Sequence, residues 1–223
     1  MKNFLLIIAT SFILFSCSKN DDDIQNVNTS FFNINTGNKW VYNRYAINAL
    51  GSTSSIIQID SVLVIGDTLI NSISYKKIEH KEFTVNSNNL LQTYYEYLRI
   101  DSNDHLVDTN GYVFHPGFDS QYQNVYTHLS SLHLDYNTGN YVQDTWGVST
   151  FQNVAPQNII VEGQNYFVYD YLGNFVGNSS LGIPNNTIHY MYEEGIGMVL
   201  RRCPFVSSAS NYYEDRLVSY VIN

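Results

Sequence analysis

Thr68-Leu69-Ile70-Asn71-Ser72-Ile73-Ser74-Tyr75-Lys76-Lys77-Ile78 is the stretch from which the fold can be read. Two short runs of strand-forming residues flank a turn pair, and Asn71 tolerates the positive φ that a two-residue turn demands. The segment is a tight hairpin, so its strands pair antiparallel; parallel strands need a long crossover instead. Upstream, Ile57 to Ile65 forms a strand that Gly66-Asp67 punctuates. Before it, Lys39 to Tyr45 alternates, with Trp40 and Tyr42 on one face as core anchors. Downstream, Leu90 to Asp101 places Tyr95, Tyr97 and Arg99 opposite Glu96, Leu98 and Ile100. A second hairpin follows, turning at Ser102-Asn103-Asp104 into His105 to Asp108. Further strands are expected over 132–136, 158–161, 166–171, 187–192, 197–202 and 216–222. The single helix candidate is Asp119 to Leu132, N-capped by Asp119, with Tyr122, Val125, Tyr126, Leu129 and Leu132 near helical spacing.

The N-terminus carries different information. Lys2, the apolar run Phe4 to Phe15 and the small residue Ser16 have the layout of a secretory signal. The run is too short for the roughly 20 apolar residues of a membrane span. Cys17 follows at once, and after it come Ser18, Lys19, Asn20 and the acidic Asp21, Asp22 and Asp23. The expected organisation is a signal peptide over 1–16, an acidic tether over 17–29 and one β-rich domain over 30–223.

Composition narrows the function. The net charge is −9 and the pI near 4.9, which argues against nucleic-acid binding, since that needs basic surface to displace counterions. With Cys17 set aside, Cys203 has no cysteine to pair with, and it reads as a buried, inert thiol. A domain of this length buries about 70% of its unfolded surface and needs neither disulfide nor structural metal. The 19 tyrosines accompany abundant asparagine, a bias that AT-rich codons produce, so they are not by themselves a binding platform.

Motifs of catalysis are missing. Gly177-Asn178-Ser179-Ser180-Leu181-Gly182 breaks the spacing of a nucleophile elbow and reads as a turn. Neither a zinc-protease helix motif nor a phosphate-binding loop occurs. Asp101 to His105 starts like a calcium loop but lacks its central Gly and terminal Glu. His128 and His133 are wrongly spaced for one helix face, and adjacent Glu193 and Glu194 would face opposite sides of a strand. The expectation is a non-enzyme with no cofactor, no metal and no catalytic residue.

Leu14-Phe15-Ser16-Cys17 resembles a bacterial lipobox, which implies cleavage before Cys17 and acylation of its thiol. The run Lys19, Asp21, Asp22, Asp23 is similar to the surface-export signal of Bacteroidetes lipoproteins. Asp60-Ser61-Val62 and Asp67-Thr68-Leu69 resemble the O-glycosylation acceptor motif of exported proteins from that group, marking Ser61 and Thr68. Gly37 to Tyr42, Gly66 to Lys77 and Tyr192 to Val199 together resemble uncharacterised flavobacterial-type lipoproteins. The resemblance implies attachment to the outer membrane through acyl chains such as palmitate, facing outward. The expected fold is mainly β: one antiparallel, strongly curved sheet of about nine to eleven strands, open or half-barrel like the periplasmic lipoprotein carriers. At most one or two short helices accompany it. A curved sheet leaves a concavity, so the leading function is non-catalytic binding of a lipid, glycan or envelope protein. The alternatives are a glycan-binding module with exposed Trp and Tyr, and a hydrolase built on a carboxylate pair.

Overall fold

The computed structural model describes residues 30–48, 50–85, 89–205 and 211–223. Fifteen strands are found among them: β1 (Lys39–Ile47), β2 (Thr53–Ile70), β3 (Ile73–Thr84), β4 (Leu90–Ile100), β5 (Leu106–Val107), β6 (Val113–His115), β7 (Gln123–Leu129), β8 (His133–Asp135), β9 (Asn140–Val142), β10 (Thr145–Asn153), β11 (Gln157–Val161), β12 (Gln164–Gly177), β13 (Asn186–Glu193), β14 (Gly197–Pro204) and β15 (Tyr212–Val221). Thirteen of them make one sheet, in the order β6-β5-β4-β3-β2-β1-β15-β14-β13-β12-β10-β7, with β11 added alongside β12. Every pairing is antiparallel. The expected sheet is present, with more strands than the nine to eleven expected.

The sheet is nearly closed. Its end strands β6 and β7 share no hydrogen-bonded ladder, and side chains bridge the seam instead. Tyr112 meets Tyr126 with ring centroids 5.6 Å apart, and His105 lies 3.2 Å from the Asp119 carboxylate. Asn153 Nδ2 donates to the carbonyls of Gly117 and Asp119, both at 3.1 Å.

Asn71 and Ser72 both have positive φ, 50° and 65°, and join β2 to β3 as the hairpin requires. Gly66 does not end a strand. The ladder slips by one residue between Val64 and Gly66, and β2 continues for 18 residues. Gly66 marks a bulge, and its φ of 153° is a backbone conformation that residues with side chains rarely adopt.

Asp119 to Leu132 is not helical. Asp119 Oδ1 accepts from the amides of Gln121 and Tyr122, a local turn, and β7 follows to pair with β10. Tyr, Thr and Val in this segment fit a strand better than a helix, and the partner strand decides the matter. The helical content of the described residues is one 3-10 turn, Ser179–Leu181, capped by Asn178 and Gly182.

The N-terminal segment 30–38 fills the concavity that a bare curved sheet would leave. Phe31 and Phe32 are 0% and 4% exposed. The Phe31 ring stacks on His115 from β6 and meets Tyr169 from β12, both 5.2 Å away. Ser30 and the Phe31 amide bond to Asp104, and Asn38 accepts from the Asn223 amide, so the strap is tied to the β4–β5 turn and to the C-terminal residue. On the outward face β11 folds back over β12 and against β15, burying Val161, Tyr166 and Val168. There the buried Glu214 accepts from Arg202 and Arg216, and Arg216 reaches Glu162 at 3.8 Å.

Candidate functional site

Residues directly opposite one another on paired strands share a face, and the register therefore defines the interior. Trp40, Tyr42 and Arg44 of β1 face inward with Val62 and Asp60 of β2, because Trp40 pairs with Val62 and Tyr42 with Asp60. The same face continues through His80 and Glu82 of β3, opposite Val62 and Asp60, to Tyr94 and Glu96 of β4. On the other side it runs through Asp215 of β15 to Arg201 of β14 and Tyr190 of β13.

Half of this interior is packed by the aromatic cluster around Phe31, His115, Phe151 and Tyr171. Beside this cluster lies a cavity of ≈ 150 Å³ that is partly open to solvent. Its apolar wall includes Phe32, Trp40, Val62, Ile78, Leu98 and Met198. Two polar groups in that wall are already satisfied: Trp40 Nε1 donates to the Ile196 carbonyl at 2.6 Å, and Tyr42 Oη to the Met198 carbonyl at 2.9 Å.

Charged groups line the opposite end of the cavity. His80 Nδ1 lies 3.0 Å from Asp60 Oδ2, and its Nε2 lies 3.6 Å from Glu96. Tyr94 covers the imidazole in a near-parallel stack, centroids 4.5 Å apart. Burial alone would drive the His80 pKa down; the hydrogen bond to Asp60 and the nearby Glu96 carboxylate outweigh it and raise it to about 9. His80 is therefore a cation near neutrality. Asp215, 3% exposed, is held by Arg44 at 2.6 Å and by Arg201. Glu82 takes a hydrogen bond from Gln92 at 2.5 Å and stands 3.8 Å from Arg44.

Two polar atoms of this wall are left over. Asp60 is 8% exposed and its Oδ1, fully buried, has no hydrogen-bond partner. The Nε2 of His80 also lacks a partner within hydrogen-bond distance. Buried polar atoms in native proteins are nearly always paired, so Asp60, which lines the cavity, retains unmet hydrogen-bonding capacity there.

The residues singled out from the sequence are dispersed. Cys17, Lys19, Asp21, Asp22 and Asp23 lie outside the described residues. Ser61 and Thr68 both sit half-buried in β2, Ser61 between Val41 and Lys81, Thr68 near the hairpin end opposite Tyr75. Trp40 is 5% and Trp146 38% exposed, so the two tryptophans do not form one surface platform. Cys203 is half-buried rather than fully buried as expected, and desolvation raises its pKa. His128 bonds to Ser149 and His133 to Asp144, while Asp119 serves His105. Among the described residues no group of three His, Cys, Asp or Glu could hold a metal ion. Acidic residues do converge in pairs: Asp60 and Glu82 lie opposite each other on β2 and β3, Asp60 and Glu96 flank His80, and Asp101 and Asp119 flank His105.

Asp60, His80, Arg201 and Asp215 were not candidates from sequence. The signal was present in strand parity: Asp60 shares its face with Val62, and Arg44 with Trp40 and Tyr42. A charge at a core-facing position is costly unless paired, and is retained for a reason.

No family model and no curated protein matches the chain. Two crystal structures are similar in shape. One is a protein of Bacteroides fragilis assigned as exported, with a YmcC-like fold, 12% identical, TM-score 0.46. The other is a protein of Parabacteroides distasonis assigned as a lipoprotein, 13% identical, TM-score 0.42. Each match covers 86% of this chain and 99% of the other.

Proposed function

We propose that this chain is a non-catalytic, lipid-anchored envelope protein that holds a small ligand inside its sheet. The observation that carries the reading is the interior cavity, apolar at one end and ionic at the other. Its volume of ≈ 150 Å³ matches that of an engineered apolar cavity of about 150 Å³ that binds benzene. A whole phospholipid does not fit such a space; one aromatic ring or short alkyl chain does. The strap residue Phe32 sets this limit, because its ring occupies the concavity that would otherwise accept a longer chain.

Attachment rests on the sequence. Acylation at Cys17 anchors the domain through several acyl chains, each buried methylene adding about 0.8 kcal/mol. The lipobox resemblance and the acidic run Lys19 to Asp23 favour the outer membrane, outward-facing, and the same resemblance favours O-glycans at Ser61 and Thr68.

Ligand-dependent thermal stability tests the cavity reading. Benzyl alcohol at a hundred times its dissociation constant is expected to stabilise the protein by about 2.7 kcal/mol. Ile78→Phe, which fills the cavity wall, is expected to abolish the shift. Equal shifts in both proteins would refute binding inside the sheet.

A further inference from the structure

Resting on the cavity reading, we infer that the ligand is a small organic cation, an amine carried on an aromatic or short aliphatic body. Three features of the polar end converge on this class. The unpartnered Asp60 Oδ1 is an acceptor buried at the cavity wall. Glu96 adds a second carboxylate beside it, 3.6 Å from His80. The single imidazolium between the two carboxylates leaves this trio with a net charge of −1, one positive charge short of neutrality. Asp215 also lines the cavity, but Arg44 and Arg201 hold both of its oxygens. That leaves the Asp60–His80–Glu96 end as the part of the wall with unmet charge.

The walls suit a cation as well as the charge does. Trp40, Tyr42, Tyr94, Tyr190 and Tyr192 all line the space, and aromatic faces attract a desolvated ammonium group. An anion would meet Asp60 and Glu96 in a site of low polarity, where like charges repel strongly. A neutral alcohol can donate one hydrogen bond to Asp60 but leaves the charge uncompensated. An amine answers both needs: an N–H donor for Asp60 Oδ1 and a positive charge facing Glu96.

Calorimetry with four compounds of one size tests the inference on the full chain: benzylamine, benzyl alcohol, toluene and benzoate. Benzylamine is expected to bind about tenfold or more tightly than benzyl alcohol, as befits a hydrogen bond to a charged group. Benzoate is expected not to bind. Asp60→Asn, which keeps the shape and removes the charge, is expected to bring benzylamine down to the level of the alcohol. Glu96→Gln is expected to have a smaller effect in the same direction, and it serves if Asp60→Asn does not fold. Equal affinity for benzylamine and toluene, or binding of benzoate, overturns the cation assignment while leaving the cavity as a ligand site. If none of the four binds, the cavity reading falls, and this inference falls with it.

Discussion

Two histidines set the pH range over which this domain is most stable. His80, with Asp60 on β2 and Glu96 and Tyr94 on β4 around it, has a folded pKa raised from 6.5 to about 9. Its contribution is complete below about pH 6.5 and is lost as pH rises through 9, on the order of 2–3 kcal/mol. His115 is the reverse case. It is wholly buried, its Nε2–H donating to the Tyr169 carbonyl and its Nδ1 accepting from the Gly117 amide. Burial lowers its pKa to about 3, so its contribution is complete above about pH 6.5 and lost as pH falls toward 3. Urea denaturation between about pH 4 and pH 10 is expected to show a stability maximum near neutrality. His80→Gln is expected to flatten the alkaline slope and His115→Gln the acid slope; unchanged slopes would contradict the assignment. At the same scale, Asp215→Ala takes the shared carboxylate from Arg44 and Arg201 and leaves Arg44 only Glu82 and Gln58, at an expected cost of about 3–5 kcal/mol. Chemical denaturation measures it directly.

Among the elements, the β2–β3 hairpin was the most legible, because Asn71-Ser72 between alternating runs admits little else. Ser72 at φ 65° carries a strain that glycine would not. Ser72→Gly is therefore expected to stabilise the domain by about 0.5–1 kcal/mol, readable as a rise in melting temperature. β10 was not foreseen, and its glycine explains why. A Cβ at Gly147 would stand 2.4 Å from the Val176 carbonyl and 2.5 Å from Phe175. Gly173 on β12 lies opposite Phe151 for the same reason, the ring occupying the space a Cβ would need, 2.4 Å away. These glycines belong to the packing of strands on one another, whereas a glycine in an isolated sequence reads as a break. Gly173→Val is expected to cost about 1–3 kcal/mol or more through overpacking. The segment 119–132 was misread because its Tyr, Val and Leu spacing suits a helix locally, and only the presence of β10 makes it a strand.

The whole molecule is a nearly closed antiparallel sheet with its concavity largely filled from within. The curved sheet could be anticipated from the hairpins and the density of short strands. The filling could not, since it depends on Phe31 and Phe32 crossing to β6, β12 and β13. The polar end of the cavity was hidden for a related reason: Asp60, His80, Glu96, Arg201 and Asp215 come from five strands spread across the chain. The proposed attachment at Cys17 rests on the sequence alone. Cys17→Ala is expected to move the protein from the membrane fraction to the soluble fraction and to remove labelling by a clickable fatty acid. Retention of either property would contradict anchoring at this residue.

The claim on which the account turns is that the interior takes a ligand. Trp40 lines the cavity and Trp146 lies half-exposed elsewhere, so Trp146→Phe leaves Trp40 as the sole tryptophan reporter. Titration of that variant with benzylamine is expected to give a saturable change in Trp40 emission that Ile78→Phe abolishes. Emission that stays constant, or drifts without saturation in both proteins, would contradict it.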